Sequence, residues 1–455
     1  TGDEKFQDIY FFKKSLRVIR NEIKDIDKKE FLDYILSHVE FLYIPIDKDK
    51  AEIIFSMMNG NKAKMLQEEL IKSELLRSAS LKSELTPISE PENISIRSRL
   101  AREWDQWLYW WNDDEHQKYF RSEQYNMRTP TGWLLPLINN DRNVTLENFC
   151  KKHLEQSTVQ KAKLVCKEMR LIQKRIEDAY NDPKIYNYIG AIIRFHGVND
   201  SYAFMKWYVD YAKDHTKEEL YSALERHYDL SMIGLSHKDI ISVDREDITS
   251  PDHEDGNLSS PSISDKKIMN AIESFKELLS SDDLYRKHYE VAAKWLLRVN
   301  IDLDNNSLKE PRKFIFSIWD NRSLEHIYPK SKVYHIDEEG NILNWEDKPW
   351  GNATEGYLNR ADIHITEDGQ EYKASEHSIG NLVLLYGKDN SEFGAKEFED
   401  KKQQFFGNVE ENIFYSRHLI HTMSTFANTK WNVKEIVEHK QVELANYDKQ
   451  YEKYS

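Results

Sequence analysis

Cysteine is nearly absent: Cys150 and Cys166 are the only two in 455 residues, and they form no Cys-x-x-Cys pair. A disulfide scaffold and a cysteine zinc ribbon are both excluded, and two buried free thiols are expected. Long apolar runs are also missing. None approaches the ~20 residues that a membrane helix requires, and the start, Thr1-Gly2-Asp3-Glu4-Lys5, has no signal-peptide apolar centre. A cytoplasmic chain with no membrane association is expected, truncated or processed where an initiator Met is lacking. There is no Walker-type glycine loop and no segment that repeats at a fixed period, which sets aside P-loop and solenoid architectures.

What is present points to a globular protein with more than one core. Hydrophobic residues make up 39% and aromatics 12% of the chain, against 31% charged residues. That balance builds apolar interiors beneath a water-facing surface, and the length implies two or three structural units. The net charge of -15 opposes a surface that is basic throughout. A local patch suffices for nucleic-acid binding, however, and a phosphodiesterase site must itself be acidic to hold a cation.

Apolar periodicity gives the organisation. Phe6 to Ile26 reads as a helix, Val39 to Ile46 as a strand, and Asp49 to Met58 and Leu66 to Leu76 as helices. Residues 77 to 95 lack an apolar period and read as a loop. Residues 96 to 235 form a helical middle domain. Its Trp104, Trp107 and Trp111 recur at helical spacing, which assigns them to a packing face rather than a base-stacking platform. Residues 236 to 265 read as a flexible linker whose Asp252-His253-Glu254-Asp255 is a solvated charge run. Helices resume at Asp265 to Leu279, with Asp265 as N-cap, and at Tyr289 to Val299, and the chain closes on an amphipathic helix, Val433 to Tyr447.

The chemistry-bearing residues lie in the C-terminal part. Leu324-Glu325-His326-Ile327-Tyr328-Pro329 reads as a strand ending in a bend, and Ile379-Gly380-Asn381-Leu382-Val383-Leu384-Leu385 as a buried strand followed by Asp389-Asn390. Hydrolysis of a phosphodiester needs an activated water, a cation against the developing charge, and help for the leaving oxygen. His326 suits the base, because an imidazole with a pKa near ~6.5 is available as a proton acceptor at neutral pH. Glu325 and Asn390 suit a hard cation, Mg²⁺ or Mn²⁺, as oxygen ligands. Strand alternation sends Glu325 and His326 to opposite faces, so only the bend at Tyr328-Pro329 would bring both to one ion. Asn381 suits an orienting role through backbone hydrogen bonds. Lys401, three residues after Phe398 on a helix from Ala395 to Phe406, would approach the phosphate or, more often for such a residue, face solvent.

Four elements in order, His326-Ile327-Tyr328-Pro329, Ile379-Gly380-Asn381-Leu382, Asn390 and Phe398-Glu399-Asp400-Lys401, make this region resemble the C-terminal domain of the GmrSD-type restriction endonucleases, an HNH-like family. The resemblance implies a fold that is mainly α with a small α+β part, a ββα-metal nuclease domain over residues 266–455 embedded in helices. It matches His326 to the catalytic histidine and Glu325 and Asn390 to the metal positions. Catalytic roles are expected for His326, Asn381 and Lys401. Upstream, Phe55, Asn59, Leu70, Ile71 and Lys72 resemble the closing segment of the family's ParB-like regulatory domain, which makes residues 1–80 a remnant of it, although Asn61-Lys62 stands where the family has Arg-Gly. The family's Asp-Gly-Gln-Gln-Arg motif is missing. An NTP-sensing domain or separate subunit is therefore expected outside this chain.

Between Pro329 and Gly380 lies an insertion, residues 331–378, read as an accessory subdomain in preference to a DNA-contacting loop. His335, His364 and His377 lie in or beside it, at no position that the motif requires. The resulting expectation is a metal-dependent DNA endonuclease acting on double-stranded DNA, including base-modified phage DNA, in restriction and antiviral defence. A catalytically silent binding or regulatory module and an RNA-cleaving toxin are the competing readings, and oligomeric state, including a homo-oligomer, stays open.

Overall fold

A computed structural model describes residues 7–40, 65–80, 90–121, 131–155, 159–242, 263–306, 309–351, 356–407 and 414–454. The chain is mainly helical with a small β component, as the sequence implies. It divides into two compact units, residues 1–173 and 174–455. No described helix is long and apolar enough to cross a membrane.

The first unit contains the helices Gln7–Glu22, Lys28–His38, Gln67–Ala79 and Glu90–Trp111, together with short helices up to Leu154. Asp27 caps Lys28–His38 by accepting from the amides of Lys29 and Glu30. The tryptophan stripe is a packing face. Trp104, Trp107 and Trp111 are all buried, and the indole of Trp111 donates to Gln173 Oε1 at 2.8 Å. The loop expected over 77–95 is helical at both described ends, because Gln67–Ala79 runs on past residue 77 and Glu90–Trp111 starts at residue 90. The strand expected at Val39–Ile46 falls mostly, and the helix at Asp49–Met58 wholly, outside the described residues, as do Phe55, Asn59 and the cluster Asp252 to Asp255. Cys150 and Cys166 are free thiols, and burial pushes Cys166 up to about 11, which keeps it protonated and inert.

In the second unit Pro183–Phe195 packs on Lys217–Met232 and on Tyr289–Asn306, so these helices join the C-terminal core. Pro183 stands at the first helical position behind the N-cap Asp182, a placement that uses the proline's missing N–H where none is needed. The helix expected to begin at an Asp265 cap begins at Ile263, which puts Asp265 in the first turn, where a carboxylate favours the helix dipole.

Seven strands follow among the described residues. β1 (Arg322–His326) pairs antiparallel with β7 (Leu382–Tyr386), β2 (Val333–Ile336) lies between β3 (Ile342–Leu343) and β4 (Leu358–Asn359), and β5 (His364–Glu367) forms a hairpin with β6 (Gln370–Lys373). That hairpin turns on Asp368-Gly369, both at positive φ, the combination a two-residue type I′ turn demands. β2 to β6 all belong to the insertion, which is therefore a small β subdomain between the two strands of the central hairpin.

β7 is apolar on both faces because it is covered on both. Val383 and Leu385 join Ile327, Phe393, Phe398, Phe405 and Phe426 in one cluster, while Leu384 lends its carbonyl to Thr422 Oγ1 on the opposite element. Each such side chain contributes about 1.5–3 kcal/mol when fully buried. The hairpin that carries the site residues thus sits in an apolar core.

Candidate active site

The pairing register places Glu325 opposite Val383 and His326 opposite Leu382. Alternation along β1 then sends Ser323 and Glu325 to one side of the hairpin and Leu324 and His326 to the other. The five residues singled out from the sequence fall into three groups: His326 on one side, Glu325, Asn390 and Lys401 on the other, and Asn381 at the bend between the strands.

On the first side His326 is 4% exposed, and its Nε2 lies 3.1 Å from Nδ1 of His377, itself 1% exposed. Burial holds the His326 imidazole well below its ordinary pKa, and neighbouring His377, Lys330 and Lys401 act in the same direction. Burial likewise lowers His377 to about 4, against the opposing pull of Glu376. Both rings are uncharged at neutral pH, so one shared N–H joins them, and the ring nitrogens without a proton are bases. The line continues. His377 Nε2 is 3.5 Å from Glu376 Oε1, a proximity without a hydrogen bond, and Arg360 grips both Glu376 oxygens through Nε at 3.1 Å and one of them through Nη2 at 2.7 Å. Tyr285 packs edge-on against the His326 ring at 4.3 Å, and Lys330 lies over the rings of Tyr285 and Trp345 at 4.6 and 3.9 Å.

On the second side Lys401 does not face solvent. It is 1% exposed, and its Nζ contacts Glu325 Oε1 at 2.6 Å and donates to the carbonyls of His326 at 2.7 Å and Ile327 at 3.3 Å. The neighbouring Phe398 is part of the core, and one turn of helix is enough to carry Lys401 under the end of β1. Burial raises the Glu325 carboxyl and lowers the Lys401 ammonium, while each opposes the shift in the other. Asn390, on the helix Gly387–Phe393, donates to Ser323 Oγ at 2.5 Å and to the carbonyl of Leu324 at 3.4 Å. It therefore stands on the same side of the hairpin as Glu325.

Asn381 closes the bend. Its Oδ1 accepts from the Tyr328 amide at 2.8 Å, and its Nδ2 donates to the carbonyls of Tyr328 and Glu376, each at 3.0 Å. One fully buried amide thus ties the backbone after His326 to the backbone before His377. The preceding Gly380 is required by a close approach: a Cβ there would stand 2.0 Å from the carbonyl oxygen of Ile436 on the helix Val433–Tyr451.

Hard-cation chemistry can be tested against this donor set. Glu325 retains Oε2 and Asn390 retains Oδ1, two oxygens on one side of the hairpin, which fits the few protein ligands that Mg²⁺ or Mn²⁺ takes. The charge of Glu325 is already balanced by Lys401, so a divalent ion fits when a phosphate brings further negative charge. His326 leaves β1 on the opposite face and lies outside that oxygen pair.

Three residues that face His326 come from the insertion rather than from the motif: Arg360, Glu376 and His377. The dense polar run Ser375-Glu376-His377-Ser378, set directly before an apolar strand and buried throughout, is the signal that could have found them. Residues 269–446 match the family model described as GmrSD restriction endonucleases, C-terminal domain, and this stretch contains every residue of the site. No curated protein and no solved structure matches the chain.

Proposed function

Because residues 269–446 belong to the C-terminal domain family of the GmrSD restriction endonucleases, we propose that the chain is a restriction endonuclease that hydrolyses double-stranded DNA with the help of a divalent cation. One observation carries the assignment of the base: His326, at the end of β1, is buried and uncharged and is oriented through His377.

Base, orienting group and carboxylate in a line are the arrangement that activates a nucleophile. His326 takes a proton from the attacking water as the water's oxygen bonds to phosphorus, and the P–O bond on the opposite side breaks, its sugar oxygen leaving with the bonding pair and taking a proton from solvent. His377 fixes the ring, and Glu376, held by Arg360, stabilises the imidazolium that the proton transfer creates. Lys401 and Asn381 are positioning residues, holding the carbonyls and amides on either side of His326. Glu325 and Asn390 would supply oxygen ligands for Mg²⁺ or Mn²⁺, and because they stand on the other side of β1 from His326, an ion held by them would serve a phosphate beside His326 only if the end of the strand rearranges when DNA binds. Lys330, backed by two aromatic rings, offers a cation to the DNA backbone beside this line. Base-modified phage DNA is the substrate that the restriction reading favours, in the cytoplasm and under control of an NTP-sensing domain or subunit.

The test is cleavage of plasmid DNA, base-modified phage DNA and a matched RNA by the full chain, with Mg²⁺, with Mn²⁺ and with EDTA. Cutting of DNA that EDTA abolishes is the expected result. Cutting of RNA alone would replace this reading with a ribonuclease, and binding of DNA without cutting under any ion would replace it with a binding module.

A further inference from the structure

A second histidine and carboxylate cluster lies in the same unit, away from β1. His439 and Glu443 stand one turn apart on the helix Val433–Tyr451, so they share a face, and His421 approaches them from the helix Ile420–Phe426. One ligand-type atom from each lies within 4.8 Å of the other two. Glu443 Oε1 is 3.1 Å from His421 Nε2 and 3.5 Å from His439 Nε2. A tetrahedral ion with ligand distances of ~2.0–2.1 Å needs donor separations of roughly 3.3 Å, which these bracket.

We propose that His421, His439 and Glu443 bind one transition-metal ion of the zinc class, with a structural role.

Three features support this over a plain hydrogen-bond network. First, ligand histidines place their second ring nitrogen on a carbonyl or carboxylate, and His439 Nδ1 lies 3.2 Å from the carbonyl of Gly380. That contact puts the proton on Nδ1 and leaves Nε2 bare, facing a carboxylate oxygen. Two lone pairs facing each other at that distance leave room for a cation between them. Second, His421 Nε2 lies 3.1 Å from the same carboxylate oxygen that faces His439, so two imidazoles from two helices converge on one oxygen. Third, Glu443 is a buried carboxylate whose ion-pair partners among the described residues are the two imidazoles. Its other oxygen accepts the Trp295 indole N–H at 2.6 Å, which orients the carboxylate but carries no charge. Neither imidazole is a fixed cation as an arginine or lysine is, and a bound metal ion would supply one at the carboxylate. The fourth ligand of a tetrahedral ion would be a water.

The location gives the ion its role. It would join the helices Ile420–Phe426 and Val433–Tyr451 and, through His439, the turn Ile379–Asn381 that carries the Asn381 clasp. The donor set, two imidazoles and one carboxylate, favours Zn²⁺ over Mg²⁺.

The experiment is elemental analysis of the full chain purified without added metal, followed by stripping with chelator and titration with Zn²⁺ and Co²⁺. We expect roughly one equivalent of zinc per chain, a melting temperature that falls on stripping and returns with Zn²⁺, and visible d–d absorption of a tetrahedral site with Co²⁺. Glu443→Gln should lose the ion at least 10-fold, whereas His326→Ala should retain it. A chain isolated without zinc, whose melting and absorption respond to neither ion, would overturn the proposal. So would a cobalt site that His326→Ala abolishes and Glu443→Gln leaves intact. The wild-type titration decides the matter even if a variant does not fold.

Discussion

The two histidine clusters of the C-terminal unit use the same residue types and differ in their counter-charge. In the first, the carboxylate of Glu376 is gripped by the guanidinium of Arg360, so its charge is balanced before His377 is reached, and the proposed role of the histidine pair is that of a base. In the second, Glu443 has only two imidazoles and an indole around it. No arginine or lysine pairs with it among the described residues. On the two proposed roles, what separates a proton acceptor from a ligand set is whether a fixed cation already satisfies the carboxylate.

The sharpest way to break the comparison is at His326. His326→Ala should reduce DNA cleavage by about 10²–10⁴-fold, the range of a general base, while circular dichroism and melting stay near those of the parent. Glu376→Gln should act through His377 and lower the rate on the order of 10–100-fold, with the pH dependence of the rate displaced and KM little changed. Next comes the other side of β1. Lys401→Met leaves the buried Glu325 without its partner and should cost about 3–5 kcal/mol in urea unfolding, and the double variant with Glu325→Gln should recover much of it.

Much of this was legible in the chain, and what was not has physical reasons. Strand alternation alone separated Glu325 from His326, and the apolar run Leu382 to Leu385 announced a strand covered on both faces. Gly380 was visible as a motif letter, but its reason, the carbonyl of Ile436 against its Cα, lies 56 residues away in the sequence and needed the fold. Lys401 illustrates the limit of local reading: a lysine on a charged helix resembles a solvated one until the partner Glu325 is seen across 76 residues. His377 is one of three histidines in or beside the insertion, and only the folded insertion decides which of them faces His326. The cluster of His421, His439 and Glu443 is spaced over two helices, so only the i, i+4 pair on Val433–Tyr451 is local, and a pair of that kind is common without a ligand.

The smallest effect expected is on pH, and it sharpens the comparison by acting on both clusters together. His377 and His439 both have folded-state values near 4, below the ordinary ~6.5 of an unfolded histidine. The unfolded chain therefore binds more protons than the native chain between those values, so stability is present above about pH 6.5 and falls as pH drops toward 4. Glu443, held down to about 2, adds a loss in the same direction at lower pH, from its unfolded value near 4.5 downward. Urea midpoints measured at pH 7.5, 6 and 5 should decrease in that order. With zinc bound at the second cluster, part of that decrease becomes a loss of metal and should shrink when Zn²⁺ is in excess.

The most direct test of the central claim is to measure DNA cleavage and bound zinc on the same preparation of His326→Ala beside the unaltered chain, with Mg²⁺ supplied. The account predicts that cleavage is lost while zinc content and melting temperature are retained, which separates the base from the second cluster. Cleavage that persists in the variant, or that disappears only together with its zinc, would contradict it.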